Sequence, residues 1–143
     1  MMRAYVDANV ILRFFLNDDP DKAAEVATLF ESVANGEVML VVDEIIVADM
    51  VWVLKSFYKQ SIEQISFGLR EFLLQDGIEV PDKNLVLQAL VLFETKNVDF
   101  SDALLAVRMQ KQGVVHIFSY DKHFGRLPGI ERLLPGKHGT LLR

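Results

Sequence analysis

The chain has 143 residues, 51% of them hydrophobic and 24% charged, and this length and balance predict one globular domain over residues 1–143 with its own core. It has a net charge of −5 and no cysteine, which excludes disulfides, thiolate metal sites and a cysteine nucleophile and argues against a broadly basic nucleic-acid-binding surface. No apolar run approaches the roughly 18–20 residues that span a bilayer, and charges from Arg3 onward interrupt any signal-peptide core, so we expect a cytoplasmic protein with no membrane partner.

Strands and helices alternate along most of the chain. In chain order, we predict a strand at 3–6, a helix at 10–16, a helix from 20 to a stop at 35–36, a strand at 38–42, a helix from 44 to about 58, a helix from 61, an edge strand at 78–81, a helix from 83 to about 95, a helix from 101 to 113, a strand at 114–119 and a short strand near 130–133. Asp19, Asp43 and Ser61 are the predicted helix caps, and Gly113 is a predicted stop. This alternation is typical of a three-layer α/β/α domain around a central, mostly parallel sheet of four to five strands.

Two acidic residues follow predicted strands. Asp7 ends the first strand, and Asp121 lies two residues beyond the strand at 114–119. Ligands of open α/β sheets bind at the carboxyl ends of the strands, so both carboxylates could project into one crevice. The alternative for each is an ordinary turn or capping aspartate.

Two further acids belong to predicted helices. Asp49 lies in an otherwise apolar helical stretch at 45–54, so we expect it to be buried, where an ionised carboxylate costs several kcal/mol unless it is paired or bound to a metal. Its structural alternative is a buried ion pair with Arg3 or Arg13. Asp102 opens an apolar helix behind an acidic capping segment. Because Ser101 or Asp99 suffices as the cap, Asp102 is available for another role.

Four converging carboxylates would repel one another unless a cation were bound. Mg²⁺ or Mn²⁺ prefers oxygen ligands and leaves coordination positions open for phosphate oxygens. One or two such ions would activate water and stabilise charge at phosphorus. The sequence therefore predicts Mg²⁺ or Mn²⁺ as the cofactor, held by Asp7, Asp49, Asp102 and Asp121.

Charge is distributed unevenly. Residues 1–107 contain eight Lys/Arg against 18 Asp/Glu, whereas residues 108–143 contain seven against two. Solvated surface charge accounts for each of these basic residues, so the basic C-terminal segment is compatible with a polyanion partner but does not require one.

Four segments together resemble PIN domains, most closely the VapC-type toxins. They are residues 5–13, 48–54, 99–104 and 118–124, and the resemblance runs essentially end to end. It implies a parallel sheet flanked by helices and a Mg²⁺- or Mn²⁺-dependent endoribonuclease that cleaves RNA. It also implies the toxin of a type II toxin–antitoxin pair, with a small antitoxin protein as partner and a homodimeric state.

By position, Asp7, Asp102 and Asp121 match the family's catalytic metal-site acids. Asp49 matches a position that is usually glutamate, so its shorter side chain implies water-mediated or displaced metal binding and weaker activity; Glu44 is a less favoured substitute. The resemblance also suggests supporting residues, each with a plainer alternative. Asn9 and Ser119 would orient the acids or form turn hydrogen bonds. Asp99 would be an outer ligand or a cap. Arg13 would contact a phosphate or, as we favour, pair with a nearby acid.

Several remaining side chains are assigned structural roles. Trp52, Phe14, Phe15 and Phe57 have core-like spacing, so we do not assign them to base stacking. His116 is expected in the core or an interface, and His123 is expected to be an idle loop residue. The apolar face of Ile65, Leu69 and Phe72 fits either packing inside the chain or a symmetric dimer.

Two other functions remain open at this point. One is a catalytically silent PIN-like binding module, which the aspartate at the glutamate position favours. The other is a receiver-type phosphoacceptor domain, which Ser119 and Lys122 suggest, although the chain lacks an adjacent acidic pair after its first strand.

Overall fold

The computed structural model describes residues 1–16 and 18–138. Asn17 and residues 139–143, which include the basic residue Arg143, lie outside the described residues. The chain divides into two compact units, Met1–Lys83 and a second that begins at Asn84. Within the described ranges, no helix combines the length and the apolar character needed to cross a membrane.

The first unit contains three strands and four helices. They are β1 (Met2–Tyr5), α1 (Ala8–Leu16), α2 (Pro20–Ala34), β2 (Val38–Val41), α3 (Glu44–Ser56), α4 (Ile62–Leu73) and β3 (Ile78–Glu79). The strands form a parallel sheet in the order β1-β2-β3, with Met2 opposite Val38 and Leu40 opposite Ile78. β2 is the central strand and is largely buried, whereas β3 lies at an edge, as the following proline predicts.

The predicted helix caps of this unit are confirmed. The Asp19 carboxylate accepts a hydrogen bond from the Lys22 backbone N–H, with Pro20 in the first turn. Asp43 Oδ1 accepts hydrogen bonds from two N–H groups of α3 at 3.1 Å. Ser61 and Gln64 form a reciprocal capping box. Each cap satisfies N–H groups that have no partner inside their own helix.

Gly77 allows a close approach between the turn before β3 and α2. Its φ of +84° lies in the left-handed region, and a Cβ atom at this position would lie 2.5 Å from Val33 Cγ1. Any side chain here would therefore combine backbone strain with a steric clash.

The second unit contains the remaining helices and two strands. Its elements are α5 (Lys83–Lys96), which begins at the unit boundary, α6 (Phe100–Gln112), β4 (His116–Phe118), a 3₁₀ helix (Lys122–Arg126), β5 (Glu131–Leu133) and the short α7 (Pro135–His138). β4 and β5 pair in parallel. Gly113, at a φ of 71°, ends α6 in the left-handed conformation, as predicted.

The α/β class and the parallel direction of the strands are confirmed, with five strands and six helices of nine or more residues in the described chain. The pairing differs from the single sheet of four to five strands that the sequence predicts. The strands form a three-stranded sheet in the first unit and a two-stranded sheet in the second. Hydrophobic patterns identify strands, but they do not specify which backbones hydrogen-bond to each other.

The predicted core is correct for α4 but wrong for several aromatic residues. Ile65, Leu69 and Phe72 are buried, so packing inside the chain accounts for that face. The aromatic residues are mostly exposed: Phe14 by 49%, Trp52 by 60% and Phe57 by 68%, while Phe15 is half-buried against Phe72. Spacing shows that residues share a helix face, but it does not show what covers that face.

His116 also departs from the prediction of a core residue. It is exposed, and its Nε2 lies 3.2 Å from Glu131 Oε2 on the neighbouring strand. A histidine in a strand of a two-stranded sheet can point to solvent, because successive side chains face opposite sides.

Candidate functional site

Asp7 occupies the predicted position at the carboxyl end of β1. It is exposed, and its backbone carbonyl accepts hydrogen bonds from the N–H groups of Val10 and Ile11, which open α1. Within the described residues, no hydrogen bond or ion pair involves its carboxylate. The helix therefore starts on the backbone of Asp7, and the side chain is not used as a cap.

Asp49 is exposed, so the prediction that it is buried is wrong. The buried residues of α3 are Val47, Met50, Val51 and Leu54. Asp49 lies on the opposite side, one turn from Ile45 and Trp52, which are 67% and 60% exposed. A helix with apolar residues on every side can therefore still have one side exposed to solvent. Burial therefore gives no reason to expect a metal at Asp49. The remaining reason is that Asp49 matches a metal-site position of the family it resembles.

The proposed ion pair of Asp49 with Arg3 or Arg13 is also wrong. Arg3 forms a bidentate salt bridge with Glu79. Arg13 Nη1 donates to Asp18 Oδ1 at 2.6 Å, which confirms that Arg13 pairs with a nearby acid. Both arginines lie in the first unit and are already matched with carboxylates.

Asp18 also accepts a hydrogen bond from the Tyr58 hydroxyl, at 2.7 Å on Oδ2. This hydrogen bond, together with the Arg13 charge, lowers the pKa of Asp18, and the same contact raises the pKa of Tyr58. The cluster ties the loop after α1 to the chain just after α3. Sequence reasoning missed it because no local pattern links side chains 40 positions apart.

Asn9 is exposed at the start of α1 and lines a shallow cavity with Arg13 and Lys22. Its orienting role stays a prediction. Glu44, the less favoured substitute for Asp49, is a half-buried residue in the first turn of α3.

In the second unit, the structure brings two acids into electrostatic range of Asp102. Asp102 is half-buried in the first turn of α6. Burial raises the pKa of Asp102, and the charges of Asp121 and Asp99 raise it further, while His123 opposes them. Asp99 occupies the N-cap position of α6, but its side chain makes no capping hydrogen bond. Asp102 is thus a carboxyl group whose charged form is disfavoured by its surroundings.

Local hydrogen bonds fix Asp121 after β4. Its backbone N–H donates to Ser119 Oγ at 3.0 Å, and its Oδ1 accepts from the His123 N–H at 2.8 Å. Oδ1 of Asp121 therefore acts as a cap, which was the alternative to a metal ligand. Oδ2 has no hydrogen bond with the described residues. His123 Nδ1 lies 3.5 Å from Oδ1, so this histidine contacts the acid directly.

Arg132 contacts the same segment from β5. Its Nη1 donates to the Ser119 carbonyl at 3.0 Å. Arg126 makes a similar contact, with Nη1 2.8 Å from the carbonyl of Asn97. The sequence places both arginines in the basic C-terminal segment but does not predict these contacts. Every residue has a backbone carbonyl, so the sequence does not indicate which carbonyl accepts the hydrogen bond.

Across residues 1–16 and 18–138, no three acidic or histidine side chains lie close enough to form a ready cation site. Asp7 and Asp49 belong to the first unit, and Asp102 and Asp121 to the second; the convergence of all four stays a prediction. The donors themselves fit Mg²⁺ or Mn²⁺, because they are carboxylate oxygens. The mutual repulsion at Asp102 is also the kind that a bound cation relieves.

Comparisons with known proteins identify a family and a relative. A family model described as "PIN domain" matches residues 4–130. A VapC ribonuclease of Aquifex aeolicus (strain VF5) is 27% identical over 123 residues, which cover 85% of this chain and 90% of that protein. The matched region includes all four predicted acids.

Proposed function

Because the chain belongs to the PIN domain family, we propose that it is a metal-dependent endoribonuclease that hydrolyses RNA phosphodiester bonds. The observation that carries the proposal is the group of Asp102, Asp121 and Asp99, in which burial and then the neighbouring negative charges disfavour the ionised form of Asp102. Such a group is stabilised by a divalent cation. The similarity to a VapC ribonuclease supports RNA as the substrate.

In this proposal, Asp7, Asp49, Asp102 and Asp121 hold Mg²⁺ or Mn²⁺ together. When bound, the cation lowers the pKa of water and offsets negative charge at the phosphorus. Asp121 is held by Ser119 and by the His123 N–H, so its Oδ2 is presented in a fixed orientation. Asn9 would orient Asp7, and Asp99 would act as an outer ligand.

The proposal extends to the domain and its partners. The family match crosses the boundary between the two units, which supports one PIN domain over residues 1–143. By similarity to the VapC protein, we propose a toxin of a type II toxin–antitoxin pair that acts in the cytoplasm. A small antitoxin and a second copy of the chain would be its protein partners.

RNA cleavage with Mn²⁺ or Mg²⁺, compared with EDTA, tests the activity. The wild type should cleave a mixed RNA pool only with metal, and Asp7→Asn should reduce the rate by at least about 100-fold, since a carboxylate ligand is lost. Glu63→Gln is the matched control, because it removes an exposed acid from the first turn of α4. Equal cleavage by wild type and Asp7→Asn in every condition would identify a contaminant and refute the proposal.

A silent binding module is the second candidate. One observation favours it: aspartate stands at position 49, which by resemblance to PIN domains is usually glutamate. Thermal stabilisation by Mn²⁺ without cleavage of any RNA pool would support this module. The receiver-type alternative is set aside, because the chain belongs to a different family.

A further inference from the structure

Arg132 and Arg126 are both held by backbone carbonyl groups. Each guanidinium donates to a backbone carbonyl, that of Ser119 or that of Asn97. Within residues 1–16 and 18–138, neither arginine forms an ion pair with a carboxylate. A carbonyl is neutral, so the contact orients the side chain without neutralising its charge.

Arg132 is the more buried of the two cations. It is the middle residue of β5 and is half-buried, whereas Arg126 is exposed in the 3₁₀ helix. A guanidinium has five N–H donors, and one nitrogen of Arg132 is engaged at Ser119. The remaining donors keep the planar geometry that suits two oxygens of a phosphate, and little side-chain entropy is left to lose on binding.

The position of Arg132 links it to the acids. Ser119, which receives its hydrogen bond, also accepts from the backbone N–H of Asp121. Asp121 in turn lies within electrostatic range of Asp102. A phosphodiester that approaches these carboxylates meets repulsion. Arg132 and Asp121 both hydrogen-bond to Ser119. The positive charge of Arg132 would therefore oppose that repulsion.

We propose that Arg132 binds a backbone phosphate of the RNA beside Asp121. This inference rests on the proposed ribonuclease function and assigns the contact to one residue of the basic C-terminal segment. We infer a phosphate as the ligand because the Arg132 guanidinium has no carboxylate partner among the described residues. We place this phosphate beside Asp121 because Arg132 and Asp121 both contact Ser119. Arg132 reads no base, so the contact is independent of sequence.

Binding of a short, fluorescein-labelled, single-stranded RNA of mixed sequence tests this assignment. Fluorescence anisotropy is measured in EDTA across a salt series for wild type, Arg132→Gln and Arg132→Lys. Arg132→Gln should weaken binding by about 5–10-fold and reduce the slope of log K against log salt by about 0.7, the value for one phosphate contact on a single strand. Arg132→Lys should keep the slope, because it keeps the charge.

Lys111→Gln is the matched control. Lys111 carries the same charge in the last turn of α6, at the opposite end of that helix from Asp102. Its removal should leave the slope unchanged. If Arg132→Gln binds RNA with the affinity and salt slope of the wild type, the inference is overturned. It is also overturned if this variant has a lower melting temperature but an unchanged slope, because Arg132 would then have only a structural role. A wild type that does not bind RNA would overturn it too.

The outcomes separate this inference from the proposed function. If RNA binding depends on Arg132 but the wild type cleaves no RNA with Mn²⁺, the ribonuclease proposal fails and the phosphate contact stands. If the wild type cleaves RNA with Mn²⁺ and Arg132→Gln has the same kcat/KM, the ribonuclease proposal stands and the phosphate contact fails.

Discussion

Two arginines in each unit contact different kinds of partner. In the first unit, Arg3 and Arg13 are bound to the carboxylates of Glu79 and Asp18, whereas in the second, Arg126 and Arg132 are bound to backbone carbonyls. The acids differ in the same way. Partners lower the pKa values of Glu79 and Asp18, while burial and neighbouring acids raise that of Asp102.

This difference separates charged groups with partners of opposite charge from charged groups without one in the contacts described above. A matched ion pair has little to gain from a further charged partner. A carboxyl group that its neighbours repel is stabilised by a divalent cation, and a guanidinium without a carboxylate partner is stabilised by a phosphate. The second unit therefore carries the stronger structural signal of function, although the resemblance is shared by both.

The largest predicted effect is in catalysis. Asp102→Asn should lower Mn²⁺-dependent RNA cleavage by at least about 100-fold, whereas Asp49→Asn should lower it by only about 10-fold, since the side chain at position 49 is exposed and one methylene shorter than glutamate. Asp49→Glu should raise the rate above wild type. Initial rates at saturating Mn²⁺ measure all three. Equal losses in the two Asn variants would show that Asp49 contributes as much to cleavage as Asp102.

Acid unfolding provides a test of intermediate size. The lowered pKa of Asp18 means that its contribution to stability is complete above its ordinary value of 3.8 and is lost as pH falls through the lowered value. Asp18→Asn should therefore melt at a lower temperature than the wild type at pH 7. The deficit should shrink as pH falls below 3.8. Differential scanning fluorimetry across pH measures it, and a deficit that does not change with pH would argue against the ionised contact.

The smallest effect should have the opposite sign. The raised pKa of Asp102 means that its contribution to stability is complete below the ordinary value of 3.8 and is lost as pH rises through the raised value. In EDTA at pH 7, Asp102→Asn should therefore melt at or slightly above the wild type, by on the order of a degree. The gain should vanish at low pH. A clear loss of stability would show that Asp102 is structurally paired.

Features set by neighbours in sequence were predicted well. Asp19, Asp43 and Ser61 cap their helices, because a capping side chain bonds backbone two or three residues away. Gly113 ends α6 for an equally local reason. The acids after β1 and β4 were placed at strand ends on the same grounds.

Features that depend on tertiary packing were not predicted. The apolar surroundings of Asp49 in the sequence suggested burial, but its side of α3 is exposed together with Trp52. The contacts of Asp18 with Tyr58 and of Arg132 with Ser119 join distant positions. Periodicity indicates which residues share a face, and only the folded chain decides what meets that face.

The parallel sheet of the first unit also bears on how the chain folds. Met2 pairs with Val38 and Leu40 pairs with Ile78, so two helices must be laid down before each strand can reach its neighbour. Loop closure is costly until those contacts form, which makes such sheets slow to assemble. β3 reaches β2 only after the second crossover, whereas β2 is hydrogen-bonded on both sides and largely buried, so the amide hydrogens of β2 should be among the last in this unit to exchange with solvent.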